Sequence, residues 1–210
     1  MSGKANVWLR RVAALATVLI LAGCDDGGGG GGGVGNDVGD NDPNLYVAIG
    51  DSITKAGYPA VLGSMLGKPV VNRGIGGSVS ADGAAETPGI LSALNPGYLL
   101  ILYGANDVTR GHSAAATIGN LRSIIQSCKA NKTVPVIATL TPMFFEHQTF
   151  HAAASATSEL IRQLAREEDV ALADLEKAFN DQSKYMEADG LHPNAAGTQL
   201  IAETFYDVLQ

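Results

Sequence analysis

Cysteines and cations are scarce in this sequence, and both shortages exclude classes of protein. Cys24 and Cys128 are the two cysteines among 210 residues, and Cys24 falls within an N-terminal leader pattern. No intrachain disulfide framework is therefore expected, and Cys128 is predicted to be a small core residue. Lys and Arg number 14 against 21 Asp and Glu, a net charge of −7. Because nucleic-acid binding needs clustered cations, we expect no nucleic-acid partner.

The motifs of metal and nucleotide sites are also missing. No group of His, Cys, Asp and Glu has the spacing of metal ligands. The glycine run Gly27–Gly33 is not followed by the Gly-Lys-Ser/Thr of a phosphate-binding loop, and Gly74-Ile75-Gly76-Gly77 lacks the third glycine of a dinucleotide fingerprint. The sequence predicts neither a metal nor a cofactor.

A short apolar run near the N-terminus indicates export rather than a membrane span. Val12–Ala22 follows the cations Lys4, Arg10 and Arg11. The run is shorter than the roughly 20 residues that cross a bilayer, but it suits a secretory signal. Its end, Leu-Ala-Gly-Cys24, resembles the lipobox of bacterial lipoprotein precursors, in which the cysteine is acylated. An ordinary signal peptide with an incidental cysteine is the alternative.

These features divide the chain into three parts. Residues 1–23 are predicted to be a signal peptide, residues 24–43 a lipidated Cys24 with a glycine-rich tether, and residues 44–210 one folded domain. Two or more acyl chains on Cys24 would give stable membrane attachment. We therefore expect the protein in the bacterial cell envelope, at the periplasmic or cell-surface face of a membrane.

Apolar runs alternate with helical patterns along the domain. The runs are apolar on both faces, which is typical of parallel strands covered by helices on either side. This βαβ alternation predicts an α/β fold, a three-layer α/β/α sandwich with a five-stranded parallel sheet. Strands are predicted at 45–49, 69–71, 98–103, 134–140 and 170–173, and helices at 58–66, 84–94, 113–130, 150–168 and 193–209.

Two segments contain the parts of a nucleophilic serine site. Ser52 lies in Gly-Asp-Ser-Ile-Thr directly after the first apolar run, where the carboxyl end of a strand meets a cleft. Asp189 and His192 stand three residues apart in Asp-Gly-Leu-His-Pro near the other end of the chain. A serine hydroxyl becomes reactive when an imidazole accepts its proton and a carboxylate orients that imidazole.

Four blocks in order resemble the SGNH, or GDSL, hydrolase family. Beside the Ser52 and His192 blocks, these are Asn72–Ser78 after the second strand and Gly104–Asp107 after the third. The resemblance implies the flavodoxin-like SGNH hydrolase fold, with Ser52 as nucleophile, His192 as general base and Asp189 as its orienting partner.

The same resemblance implies an oxyanion hole. Asn106 would contribute its side-chain amide and Gly77 its backbone N–H, with Gly74 as the weaker candidate for the glycine.

The predicted activity is therefore that of a membrane-tethered serine esterase that needs no cofactor. The family includes lysophospholipases, thioesterases, arylesterases and carbohydrate acetylesterases, so small-molecule, lipid and glycan esters all remain open as substrates. Met143-Phe144-Phe145 either lines an acyl site or packs in a loop. A non-catalytic lipoprotein that binds a glycan or lipid, and an acyltransferase using the same residues, are the competing functions.

Overall fold

A computed structural model describes residues 38–210. The predicted signal peptide, the lipidation site Cys24 and the glycine run lie outside the described residues. Within the described part, none of the helices combines the length and the apolar character needed to cross a membrane.

Five parallel strands form one sheet, which confirms the predicted fold class. The order across the sheet is β2-β1-β3-β4-β5, and every neighbouring pair is parallel. The central strands are buried because their side chains are apolar on both faces, as in Leu99–Leu102. The strands are β1 (Asp42–Gly50), β2 (Val70–Gly74), β3 (Pro96–Leu102), β4 (Val134–Ala138) and β5 (Ala171–Ala173).

Helices connect the strands and cover the sheet. One group contains α8 packed on α2 and α7, and the other contains α5 packed on α3 and α6. Short 3-10 helices occupy Phe145–Phe150 and Ser183–Tyr185. The α-helices are α1 (Ser52–Lys55), α2 (Tyr58–Leu66), α3 (Ser80–Leu94), α4 (Ala105–Thr109), α5 (Ala114–Ala130), α6 (His151–Glu168), α7 (Leu175–Phe179) and α8 (Ala195–Leu209).

Helix starts follow the capping residues in the sequence. Ser113 accepts a hydrogen bond from the Ala116 amide through its hydroxyl, and Asn194 accepts from the amides of Ala196 and Gly197. Both residues satisfy amides that have no partner in the first helical turn. The helices α5 and α8 consequently begin one and two residues after their predicted starts.

The folded domain begins before the predicted boundary at residue 44. Strand β1 begins at Asp42, whose amide donates to the Asn95 carbonyl at 2.9 Å. The side chain of Asn41 is buried and donates to the carbonyl of Asn131 at 2.7 Å. The end of the predicted tether is thus part of the fold, because Asp42 pairs with the α3–β3 connection and Asn41 with the α5–β4 connection.

Two other boundaries also differ from the prediction. Strand β2 extends to Gly74, so Asn72 and Arg73 belong to the sheet and not to the following loop. These polar residues fit a strand because β2 is at the sheet edge. Helix α3 begins at Ser80 rather than Ala84 and includes Gly83, where a side chain would meet the Tyr103 ring at 2.4 Å. Gly83 made this first turn of the helix hard to predict from the sequence, but the structure needs a glycine there for packing against Tyr103.

The strand order places a cleft beside β1. The chain moves from β1 to β2 on one side and then to β3 on the other, so the direction of winding reverses between β1 and β3. Loops leaving two such strands diverge and leave a crevice beyond their carboxyl ends. Ser52 follows β1 directly at this position.

Candidate active site

Ser52 is held at the end of β1 by a tight turn. Gly50 ends the strand, and a Cβ there would lie 2.5 Å from the Leu102 carbonyl oxygen of the adjacent strand β3. Asp51 caps α1, its Oδ1 accepting from the Ile53 amide at 2.9 Å. Ser52 is therefore the first residue of a short helix. The close approach of Gly50 to β3 and the cap formed by Asp51 fix where this helix begins.

Ser52, His192 and Asp189 form one chain of hydrogen bonds. The Oγ of Ser52 lies 2.8 Å from Nε2 of His192, and Nδ1 of His192 lies 2.6 Å from Oδ2 of Asp189. The other carboxylate oxygen of Asp189 accepts from the amides of Leu191 and His192 at 2.9 and 3.0 Å. The structure thus brings together the three residues that the sequence singled out from its two ends.

Asp189 is ionised at neutral pH, which fixes the histidine tautomer. Partial burial acts to raise its pKa, but hydrogen bonds from the ring and backbone of His192 and from Leu191 lower that pKa to about 2. A carboxylate can only accept, so Nδ1 of His192 carries the proton that it shares with Asp189. Nε2 is then the ring nitrogen that accepts from the Ser52 hydroxyl.

The two candidate oxyanion glycines, Gly74 at the end of β2 and Gly77 in the loop after it, differ. Gly74 donates its amide to Oδ1 of Asn72, and a Cβ on it would lie 2.3 Å from the Lys55 backbone nitrogen. Gly77 has φ of +79°, and its amide has no acceptor among residues 38–210. Gly74 is therefore a packing glycine with an occupied N–H, whereas Gly77 has a donor to offer.

Asn106 lies between the glycine loop and the serine turn. Its side-chain amide donates to the Ser78 carbonyl at 3.0 Å and to Oδ2 of Asp51 at 3.3 Å. The first contact is short and fixes the direction of the amide, and the second is long for a hydrogen bond. The nitrogen of Asn106 therefore lies beside the turn that carries Ser52.

Two buried carboxylates beneath the site were missed at the sequence level. Asp51 is 1% exposed, and burial raises its pKa to about 6, opposed by the Ile53 amide and by attraction to His192. Asp107 accepts from the amide and hydroxyl of Ser80 at 2.9 and 2.5 Å. Both belong to the recognised blocks, but nothing in the sequence distinguishes a buried aspartate from a solvent-exposed helix cap.

The Met143-Phe144-Phe145 segment is divided between core and surface. Met143 and Phe144 are buried in the core, which supports loop packing for these two residues. Phe145 is 55% exposed. The Phe144 amide donates to the Gly190 carbonyl at 2.8 Å, so the segment contacts the turn that carries Asp189 and His192.

No three His, Cys, Asp or Glu side chains are grouped so as to hold a metal ion in the described part of the chain. Cys128 is fully buried, as predicted, and burial raises the pKa of its thiol to about 12. The chemistry that the site can perform is instead proton transfer between Ser52 and His192, next to amide donors that could stabilise an anionic oxygen.

A doubly wound parallel sheet with a linked Ser, His and Asp beyond its strand ends is an arrangement suited to a hydrolase with a nucleophilic serine. The sequence profile of the GDSL-like Lipase/Acylhydrolase family matches residues 48–200. The chain belongs to this family, and it is a GDSL-type ester hydrolase.

Individual relatives agree with the family assignment. The chain is 30% identical over 173 residues to thioesterase 1/protease 1/lysophospholipase L1 of Escherichia coli strain K12, covering 77% of this chain and 81% of the relative. It is 28% identical over 178 residues to an acetylxylan esterase of Geobacillus stearothermophilus, covering 76% and 78%. The crystal structure of TesA superposes with a TM-score of 0.70 at 27% identity, covering 79% of this chain and 98% of that one.

Proposed function

We propose that the protein hydrolyses carboxylic esters through an acyl-enzyme intermediate on Ser52. The observation that carries this proposal is the continuous hydrogen-bond chain from Ser52 Oγ through His192 to Asp189. A serine that is paired with an oriented imidazole can lose its proton as it attacks, which an isolated serine cannot do at neutral pH.

The reaction would proceed in two steps. Ser52 Oγ attacks the ester carbonyl carbon while its proton moves to Nε2 of His192, and Asp189 stabilises the imidazolium. The tetrahedral intermediate then expels the alcohol, whose oxygen takes that proton from His192, and the acyl group stays on Ser52. Water attacks the acyl-enzyme in the same manner, releasing the acid and restoring the serine.

The developing oxyanion would be held by three donors. The backbone amides of Ser52 and Gly77 and the side chain of Asn106 are the proposed set. The long 3.3 Å contact between Asn106 and Asp51 supports this assignment, because a weakly bound hydrogen is the one most easily shared with a new anion.

Replacing Ser52 tests the mechanism. Ser52→Ala should remove nearly all turnover of an aryl acetate without loss of stability, because only the attacking oxygen is deleted. Ser64→Ala is the matched control, since Ser64 is an exposed helical serine whose hydroxyl bonds only its own helix, to the Ala60 carbonyl. A folded Ser52→Ala protein that keeps more than about a tenth of the wild-type kcat would exclude Ser52 as nucleophile.

Short acyl groups are the proposed acyl substrates, on esters of carbohydrates or lipids. Burial of Met143 and Phe144 supports this preference, because it removes two apolar side chains from any acyl site. Each methylene of the acyl chain that contacts the protein contributes about 0.8 kcal/mol to binding. The preferred chain length therefore indicates how much apolar surface the acyl site offers.

A series of nitrophenyl esters measures the acyl preference. We expect kcat/KM to be largest at or below about six carbons. A maximum at about ten carbons or more would contradict this expectation and would point to the groove of about 430 Å³ that is lined by Ile75, Ile90 and Leu94.

A lipid anchor on Cys24 is the proposed means of membrane attachment. The support is the leader pattern alone: cations, a short apolar run and Leu-Ala-Gly before the cysteine. The enzyme would then act at the face of a bacterial envelope membrane, on substrates outside the cytoplasm.

A further inference from the structure

Phe145 has an exposed aromatic side chain close to the candidate site. Three large apolar side chains are exposed among residues 38–210, namely Ile75 at 45%, Phe145 at 55% and Leu160 at 38%. Leu160 lies on the outer surface of α6, whereas Ile75 and Phe145 lie on loops that carry the candidate site. Single exposed apolar residues are common on proteins, so exposure alone assigns no role to Phe145.

The backbone of Phe145 supplies a second observation. Its φ is +47°, in the left-handed region that is unfavourable for a residue with a Cβ. The preceding residue, Phe144, is buried, and its carbonyl accepts from the His147 amide at 2.8 Å. The strained turn thus separates Phe144, which is in the core, from Phe145, which is exposed to solvent. Backbone strain of this kind tends to occur at functional sites.

The loop that carries Phe145 is joined to the turn that carries the general base. The Phe144 amide donates to the Gly190 carbonyl at 2.8 Å, and Nδ1 of His147 lies 2.8 Å from the Asp189 carbonyl. Gly190 has no room for a side chain, since a Cβ would lie 2.0 Å from the Phe144 oxygen. Phe145 therefore lies on the His192 side of Ser52, and its position is fixed relative to His192.

The chemistry of ester cleavage assigns this side to the alcohol. His192 must pass its proton to the oxygen of the leaving alcohol, so the alcohol half of the ester lies towards His192. The carbonyl oxygen points the opposite way, towards Asn106 and Gly77. An aromatic ring beside the His192 turn is therefore placed to contact the alcohol half rather than the acyl half.

The surrounding charges select the kind of alcohol. Glu146 and Glu187 are exposed beside Phe145 and His192, and Asp189 is ionised. In the segments 143–150 and 183–192 the one Lys or Arg is Lys184, whose ammonium group lies over the Tyr185 ring at 4.8 Å. An acidic rim disfavours a phosphate-bearing alcohol, whereas the hydroxyls of a sugar can donate to carboxylates.

We propose that Phe145 is the platform on which the sugar ring of a glycan ester stacks while Ser52 removes its acyl group. This inference rests on the proposed esterase function and adds the class of alcohol. The apolar face of the sugar covers the Phe145 ring, its acylated oxygen faces His192, and the freed sugar leaves with the proton that Ser52 gave up.

Three acetate esters that differ only in the alcohol test the proposal. They are an acetylated xylo-oligosaccharide, acetyl-glycerophosphocholine and ethyl acetate. Phe145→Ala should raise KM for the sugar ester roughly three- to tenfold, as expected for loss of one aromatic contact, and leave its kcat unchanged. Ethyl acetate turnover should not change, Phe145→Trp should restore the sugar KM, and Leu160→Ala should behave as wild type.

A further variant separates stacking from stability. Phe145→Gly should raise the melting temperature, because glycine adopts positive φ without strain, and should lose sugar affinity as Phe145→Ala does. An unchanged sugar KM in Phe145→Ala overturns the proposal, as does an equal loss on ethyl acetate or a loss confined to the phosphocholine ester. Failure of the wild-type protein to cleave any of the three esters would instead overturn the esterase function itself.

Discussion

Asp51 is a buried acid directly beside the proposed nucleophile. Its carboxylate accepts from the Ile53 amide and from Asn106, and its pKa also responds to His192 and Asp107. Burial raises the pKa values of two nearby phenols, Tyr58 and Tyr103, and the charge of Asp51 raises them further. Keeping a charge at this position therefore costs folding free energy at neutral pH.

The raised pKa of Asp51 predicts a pH dependence of stability. Between its ordinary pKa of 3.8 and its folded value of about 6, the folded protein holds a proton at Asp51 that the unfolded chain does not. The free energy of unfolding should therefore fall as pH rises from about 4 to about 6, by about 3 kcal/mol. Urea unfolding of the wild type and of Asp51→Asn at several pH values measures this contribution.

The asparagine variant isolates the effect from other titrating groups. Asp189 changes stability in the opposite sense and at lower pH, because its lowered pKa stabilises the fold above about 4 and that gain is lost towards pH 2. The difference between wild type and Asp51→Asn should vary across pH 4 to 6. A constant difference would show that Asp51 has an ordinary pKa.

The roles of residues could be predicted from the sequence where those residues stand in a motif that indicates a particular chemistry. Ser52, Asp189 and His192 stand in patterns that have a chemical reading, and the structure places them within hydrogen-bond distance. The burial of Asp51 and the left-handed backbone of Phe145 had no such pattern. Both depend on contacts with residues far away in sequence, Asn106 for the first and Gly190 for the turn beside the second.

At the scale of elements, α4 holds the glycine loop in place. Asn106 donates to the Ser78 carbonyl at 3.0 Å, and Nη2 of Arg110 donates to the Gly77 carbonyl at 2.6 Å. Asp107 accepts from the amide and hydroxyl of Ser80. The short helix and Arg110, which follows it, thus make four hydrogen bonds with residues 77–80, and these fix the loop that presents the Gly77 amide.

Asp107→Ala should loosen this loop and destabilise the fold. Asp107 is 1% exposed, and its removal leaves the Ser80 amide and the Thr117 hydroxyl without a carboxylate acceptor. We expect a loss of about 2–4 kcal/mol and a lower kcat in the protein that remains folded. Thermal unfolding and aryl-acetate turnover measure both, with the exposed Asp207→Ala as control. Unchanged stability would contradict the buried-acceptor role.

The strands and the long helices were predictable from the sequence, and the short helices were not. All five strands and the long helices follow from apolar patterns, with ends that shift by a few residues. Helices α1, α4 and α7 have four or five residues, too few for a 3.6-residue period to appear. Two of these three helices carry Ser52 and Asn106, so the site depends on the elements that sequence patterns reveal least.

At the scale of the whole molecule, we predict that the catalytic domain and the anchor are separable. The domain includes Asn41, whose side chain donates to the Asn131 carbonyl and lies 3.4 Å from the Thr133 hydroxyl. Residues before Val38 lie outside the described residues, and the sequence there is glycine-rich. We propose that this segment serves as a tether between Cys24 and the enzyme.

Two truncations test the boundary. A chain that begins at Val38 should be as active and as stable as the chain that begins at Cys24. A chain that begins at Leu45 should lose about 1–3 kcal/mol, because the Asn41 hydrogen bonds and the first residues of β1 are removed. Melting curves and ester turnover measure both, and reduced activity of the Val38 chain would show that the tether contributes to the enzyme.

The anchor itself is tested in cells. Cys24→Ala should leave the protein without its lipid and shift it from the membrane to the soluble fraction, or leave its leader uncleaved. Cell fractionation with an ester assay separates attachment from catalysis. Unchanged membrane association of Cys24→Ala together with normal cleavage of its leader would contradict lipidation at this residue.

The most direct test of the account is to find the acyl group on Ser52. The wild-type protein is mixed with a nitrophenyl acetate, quenched in acid within the first turnovers, digested and analysed by mass spectrometry. We predict an added acetyl group on the peptide that contains Ser52, with no such peptide from Ser52→Ala. An acetyl group on another residue, or full turnover by Ser52→Ala, would contradict the proposed mechanism.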